Sequence, residues 1–307
     1  MTLEPPKASR RTVLTAFAAA AAAGAPLVGQ LATAAPAYAG TENDTYVSNT
    51  DLYTSTADPV KEGTDYGRRY RRHEQLDRYL SKPSSPPRTA VMAIHGGQIE
   101  RGTSELCLAI AGYNPADVES ALVTEGLYDY WMFEGMRSEN NRALHVSSVN
   151  CDDHVAVGIA ASHLNVLSLH GCQYGQLGMP EPAIWPSVAD PKLVVVGGLN
   201  QVFREALVKE LNTAGFPAVD AFAPEYAQNL KDYAGGLTKN ICNRTATGAG
   251  AQLEITEDMR RSLFGPEPTD FDWKSGRLAT WNNPRFLGFR DACRRAIATV
   301  ETGQVIL

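Results

Sequence analysis

Thr89-Ala90-Val91-Met92-Ala93-Ile94-His95-Gly96-Gly97-Gln98-Ile99-Glu100-Arg101-Gly102-Thr103-Ser104-Glu105 is the stretch on which the rest of the chain turns. Thr89 to Ile94 are small or apolar and read as a buried strand. The run stops at His95 and two glycines, which let a backbone turn where a Cβ would clash. Glu100 follows five residues after His95. A rigid strand end and such a turn can bring an imidazole and a carboxylate to one point. His plus Glu is a donor set suited to catalytic zinc.

Outward from this stretch the pattern recurs. Of the six histidines, His170 also ends an apolar run and precedes glycine, in Leu169-His170-Gly171-Cys172. Ligands of α/β sheets collect beyond the carboxyl ends of strands. Two histidines at two such ends, with Glu100, would make a His₂Glu site with an open fourth position. The plainer alternative is two hydrogen-bonded structural histidines. His145, in Leu144-His145-Val146-Ser147-Ser148, is a reserve ligand, a substrate contact or a core histidine. His73, His154 and His163 stand next to polar residues and are expected at the surface.

Elsewhere apolar runs alternate with helical patterns. Ser104 to Tyr113, Asp153 to His163, Asn200 to Ala214, Glu257 to Phe264 and Asn283 to about Thr302 predict helices. Tyr128 to Phe133, Asn165 to His170, Leu193 to Val196, Phe216 to Phe222 and Gly248 to Ile255 predict strands, with a short one at Leu144 to Ser148. The alternation predicts an α/β fold, its mixed, mostly parallel sheet covered on both faces. Tyr66 to His73, with Arg68, Arg69, Arg71 and Arg72, reads as a solvated edge strand, or less simply as a landing patch for a polyanion.

Ser9-Arg10-Arg11-Thr12-Val13-Leu14 is a twin-arginine pattern, followed by an uncharged Ala-rich stretch and the small-x-small site Ala37-Tyr38-Ala39. Residues 1–39 are therefore expected to be a leader cleaved on export, not a retained anchor. Residues 40–65 are polar and read as a loose lead-in. Residues 66–307 read as a single catalytic α/β domain. The formal net charge is −6, and the leader is itself basic, so the remainder is more acidic still. That argues against nucleic acid as a partner. The five cysteines have no zinc-ribbon spacing and read mostly as buried thiols, with room for one bridge.

Glu254, in Gly248-Ala249-Gly250-Ala251-Gln252-Leu253-Glu254-Ile255, lies within an apolar strand. A carboxylate there is costly without ionic partners or a metal. Metal-assisted hydrolysis needs a base, and Glu254 is the candidate; a glutamate facing solvent at a strand end is the alternative. Arg244 could clamp a substrate carboxylate through its two-pronged guanidinium. Asn243 could add a bond, and Arg204 is a further basic candidate.

These blocks together resemble the phage and bacterial poly-γ-glutamate hydrolases. The resemblance rests on His95-Gly96-Gly97-Gln98-Ile99-Glu100-Arg101-Gly102-Thr103-Ser104-Glu105, then on Leu144-His145-Val146-Ser147-Ser148, Leu169-His170-Gly171-Cys172, Val196-Gly197-Gly198-Leu199, Asn240-Ile241-Cys242-Asn243-Arg244 and Ala251-Gln252-Leu253-Glu254-Ile255. The blocks follow the family's order between about Tyr66 and Leu263. Membership implies a three-layer α/β/α sandwich similar to zinc carboxypeptidases. It implies zinc on His95, Glu100 and His170, Glu254 as general base, and cleavage of γ-linked amides between glutamates. The implied partner is an acidic polymer or peptide, met by a monomer. Other readings of the same residues are a zinc amidase for γ-glutamyl bonds of cell-wall peptides and a non-catalytic binder of acidic polymers.

Overall fold

Apolar runs buried on both faces build the centre of a sheet of seven strands. In this computed structural model, residues 44–73, 88–123, 126–179, 191–265 and 277–304 are described. The expected leader and the proline-containing stretches 74–87, 180–190 and 266–276 lie outside them. The strands are β1 (Tyr66–Arg71), β2 (Thr89–Gly97), β5 (Asp129–Gly135), β6 (Asn165–Cys172), β7 (Val194–Gly197), β8 (Ala218–Asp220) and β9 (Ala251–Thr256). A separate ribbon pairs β3 (Tyr113–Asn114) with β4 (Asp117–Ala121).

The sheet order is β1-β5-β2-β6-β9-β7-β8. β1 and β5, and β7 and β9, run antiparallel; the other neighbours are parallel. The expected mixed, mostly parallel sheet is therefore present. β1 is the expected edge strand, and its Arg68, Arg69 and Arg71 are taken up by ion pairs with Glu62, Asp153, Glu134 and Glu119.

Eight helices are described: α1 (Asn49–Thr54), α2 (Thr103–Ala111), α3 (His154–Ala161), α4 (Gln201–Thr213), α5 (Ala227–Leu230), α6 (Glu257–Ser262), α7 (Arg277–Thr280) and α8 (Pro284–Thr302). α4 and α8 start as their sequences dictate. Asn200 and Asn283 cap them, and Pro284 takes the first turn of α8, where its missing N–H costs nothing.

One sheet face is a continuous apolar core. Val91, Ala93, Leu167, Leu169, Val194, Val196, Leu253 and Ile255 pack against α2, α4 and α8. The other face is divided. Met92, Trp131 and Phe133 join Leu52 of α1 and Ile159 of α3 in one cluster. Val195, Leu230 and Tyr233 belong to another. Between these clusters Ser168 and His170 of β6 lie register to register with Gln252 and Glu254 of β9. All four side chains are buried. Register partners project to the same face, so a polar seam crosses an otherwise apolar surface.

Several expectations need correction. The first part of the expected lead-in, residues 44–53, is not loose: α1 is capped by Ser48, and Asp44, Tyr46, Asn49 and Leu52 are packed into the domain. Leu144 to Ser148 forms no strand. Single helical turns at Asn141–Leu144 and Ser148–Asn150 bracket it. Asp44 takes the Ser147 N–H and the His145 ring at 2.7 Å each, and these bonds hold the segment off the sheet. All five cysteines are buried and free, so no bridge forms. Among the described residues no helix is long and apolar enough to cross a membrane.

His163 is also buried, against expectation, because Asp129 at the start of β5 needs it. Asp129 meets His73 Nδ1 at 2.6 Å, the His73 N–H at 2.9 Å and His163 Nε2 at 3.3 Å. Burial alone would raise this carboxyl, but the bonds from His163 and His73 hold it well below the usual range. A depressed carboxyl stabilises the fold above its unfolded pKa of about 4 and loses that contribution as pH falls below it. Asp129→Asn is expected to cost about 2 kcal/mol at pH 7, with the gap to the parent closing below about pH 4. Urea unfolding at several pH values checks this; a gap that widens in acid would contradict it.

Candidate metal centre

The turn after β2 builds the centre's first half. Gly97 has φ 64° and packs so closely on the Gly135 backbone that a Cβ would collide. The Glu100 N–H donates back to the His95 carbonyl at 2.8 Å. This closes the five-residue step and brings the Glu100 carboxylate 3.0 Å from His95 Nδ1. His95 Nε2 faces the Val146 carbonyl at 2.8 Å and must donate to it. In a neutral ring that leaves a lone pair on Nδ1, pointed at a carboxylate. A positive charge, proton or metal ion, has to lie between them.

The second half comes from β6 and the loop around His145. His170 Nδ1 lies 3.3 Å from His95 Nδ1 and 3.9 Å from Glu100. Its Nε2 meets Ser168 Oγ at 2.9 Å. His145 stacks on His95 with ring centroids 3.8 Å apart. Its Nδ1 is bonded to Asp44, and its Nε2 is buried with no partner among the described residues. Donor atoms of His95, Glu100 and His145 all lie within 4.8 Å of one another.

Electrostatics keeps these donors ready. Burial pushes His170 down to about 3, despite Glu100. Burial, with His95 and Arg142 nearby, pushes His145 far down as well. Both rings are therefore neutral at pH 7, as ligation requires. Burial would raise Glu100, but His95, His170 and Arg260 outweigh it and hold the carboxyl below its ordinary value.

Glu254 stands one strand spacing, about 4.8 Å, from His170. Gln252 donates to its Oε1 at 3.2 Å. Its Oε2 is buried and without a partner among the described residues. Burial, helped by the Glu100 charge, pushes its carboxyl well up. The sequence-picked His95, Glu100, His145, His170 and Glu254 thus share one seam.

Two of the other picks do not join it. Asn243 gives its amide to the Gly235 and Leu237 carbonyls and accepts from the Leu199 and Gly250 N–H groups. Arg204 is held by Asp220 and the Gly198 carbonyl. Both are struts rather than substrate contacts. Arg244 donates to the Cys151 carbonyl at 2.9 Å.

Sequence reasoning missed three groups. Asp44 backs His145. Arg260 lies so close over Gly171 that a Cβ there would strike its guanidinium, and it donates to the Ile255 and Arg101 carbonyls. Arg142 keeps a buried Nη1 without a partner among the described residues and lies 3.8 Å from Asp44. Nothing in their local sequence marks any of the three.

Fold and centre together define an α/β protein with a buried His/Glu donor set on a strand-end turn, backed by an unpartnered carboxylate. The sequence pattern of the poly-gamma-glutamate hydrolase family matches residues 69–275, and the chain belongs to that family. YndL of Bacillus subtilis (strain 168), a UPF0714 protein, is 32% identical over 217 residues, covering 70% of this chain and 69% of YndL. The structure of a bacteriophage poly-gamma-glutamate hydrolase is similar with TM-score 0.61 at 26% identity, over 85% of this chain and all of that one. A zinc-free apo structure of YndL gives TM-score 0.59 at 27% identity, over 85% of this chain and all of YndL's.

Proposed function

We propose that the protein is an exported, zinc-dependent hydrolase of the γ-glutamyl amide bonds of poly-γ-glutamate. The observation that carries this is the buried cluster of His95, Glu100 and His170 donors, with His145 stacked on it, beside the unpartnered Glu254 oxygen, in a chain of this family. The phage relative is named for that activity, and the existence of a zinc-free form of YndL supports zinc. The twin-arginine pattern supports export.

The donors fit zinc: nitrogen and carboxylate oxygen, neutral or anionic, converging in a buried site. His95, Glu100 and His170 would hold it: His170 Nδ1 lies 3.3 Å from His95 Nδ1 and 3.9 Å from Glu100, with the two rings set at 65°. His145 stacks on His95 with the planes 29° apart, so the in-plane lone pairs of those two rings run side by side, and it stands as the reserve donor. Three protein donors leave the open position that hydrolysis needs.

Zinc, when bound, acidifies water and polarises the amide carbonyl. The protein supplies the rest. Glu254 Oε2 takes the proton from the attacking water and returns it to the departing amine nitrogen. Gln252 fixes the other oxygen, so the free one keeps its aim. A carboxyl raised by burial holds a proton more readily than an exposed one, as a base that must accept one requires. The spare Nη1 of Arg142 is a further cation for a substrate carboxylate beside the expected Arg244, whereas Arg204 is taken up by Asp220.

Incubating the purified protein with poly-γ-glutamate tests this reading. Chain length by size-exclusion chromatography is expected to fall with zinc, to hold with a chelator and to fall again on adding zinc back. Unchanged chain length with zinc supplied, alongside release of amines from γ-glutamyl cell-wall peptides, would move the activity to that substrate.

A further inference from the structure

Three backbone positions, each directly after a residue of the centre, meet at one guanidinium. Arg260 Nε donates at 3.0 Å to the carbonyl of Ile255, which follows Glu254. Its Nη1 donates at 2.6 Å to the carbonyl of Arg101, which follows Glu100. Gly171, which follows His170, lies under the flat of the group: a Cβ there would stand 2.5, 2.7 and 2.8 Å from Arg260 Cζ, Nε and Nη2. The Gly171 N–H in turn donates to Glu100 Oε2 at 2.8 Å.

The chain builds this brace locally. β9 runs without a loop into α6, and Thr256, the last strand residue, caps that helix. Arg260 follows on α6 and is almost wholly buried. Burying a guanidinium is costly, yet both of its hydrogen bonds go to backbone carbonyls and neither to a carboxylate. Burial lowers its pKa, and Glu100 is the foremost of the neighbours that oppose the shift. Lysine offers one nitrogen in place of the planar fork. β2 and β9 are not neighbours in the sheet, because β6 lies between them. Arg260 joins the turn after β2 to β9 across Gly171 of β6.

Resting on the proposed hydrolase reading, we infer that Arg260 is a positioning residue: by bracing Arg101, Gly171 and Ile255 together it sets where Glu254 stands relative to the metal donors. A base must lie within hydrogen-bond reach of the water it deprotonates, and a misplacement of about 1 Å costs about 10²-fold in rate.

A double-mutant cycle tests it. Parent, Arg260→Met, Arg260→Lys and Gly171→Ala are compared on poly-γ-glutamate at saturating zinc, with and without Glu254→Gln. Zinc affinity is read separately by competition with a chromogenic chelator. Arg260→Met is expected to lower kcat about 10²-fold, to leave KM within about threefold and to weaken zinc about tenfold. Added to Glu254→Gln it is expected to cost less than about twofold, because a base that is absent cannot be misplaced. Arg260→Lys keeps the charge and gives up one carbonyl bond, for an expected loss of about tenfold in kcat. Gly171→Ala moves the guanidinium without removing it, repeats the Arg260→Met pattern and carries the test if Arg260→Met does not fold. A loss as large in the Glu254→Gln background as in the parent, or parental turnover in Arg260→Lys, overturns the positioning role. A parent that leaves the polymer intact overturns the hydrolase reading instead. Zinc affinity then decides the brace, which stands if Arg260→Met weakens zinc and falls if zinc binding is unchanged.

Discussion

His170→Ala leaves the purified protein without stoichiometric zinc, while His145→Ala keeps zinc at lowered affinity. The difference follows from where each ring points. His170 Nδ1 lies 3.3 Å from His95 Nδ1 and 3.9 Å from Glu100, so three donor atoms face one point. His145 lies flat on His95, with ring centroids 3.8 Å apart and planes 29° apart, so its lone pair runs beside that of His95 instead of converging with it. Losing one of three ligands strips the ion. Losing a neighbour that holds a ligand in place, as His145→Ala does, is expected to lower affinity about 10–100-fold. Elemental analysis after dialysis, with competition against a chromogenic chelator, reads both variants. Zinc retained by His170→Ala and lost by His145→Ala would move the third ligand to His145, whose buried Nε2 has no partner among the described residues.

Glu254→Gln lowers kcat about 10²–10⁴-fold with zinc in place. Glutamine keeps the volume and the bond from Gln252 but cannot carry a proton. The same change should stabilise the metal-free protein. Burial and the Glu100 charge raise the Glu254 carboxyl in the fold. A raised carboxyl binds more protons folded than unfolded, so its cost begins above the unfolded pKa of about 4.3 and grows as pH rises toward the folded value. Above about pH 4.3, thermal melts of metal-free Glu254→Gln should therefore lie above those of the parent, by a margin that increases with pH. A variant that keeps parental turnover, or that melts lower at every pH, would remove Glu254 from the role of base.

How far the sequence reaches is visible in particular residues. The sheet was legible because its strands are buried on both faces and read as apolar runs. His95, Glu100, His170 and Glu254 were legible because each sits at or in such a run beside a glycine turn. His145 was only partly so. It lies in an irregular segment, and its orientation comes from Asp44, 101 residues earlier and in a stretch whose polar composition suggested a loose lead-in. Arg204 and Asn243 have the chemistry of substrate contacts, but Asp220, Gly198, Gly235 and Gly250 use them, and those partners are set by tertiary packing. Arg260 and Arg142 look like any surface arginine in sequence; only the fold puts their guanidinium groups beside Glu100 and Asp44.

The Asp44–His145 bond turns the front of the described residues into a ruler for trimming. If the expected leader is removed after Ala39, Asp44 remains and the imidazole stays clamped against His95. Trimming past Asp44 would unclamp that ring, and the mass of the N-terminal peptide would identify such molecules.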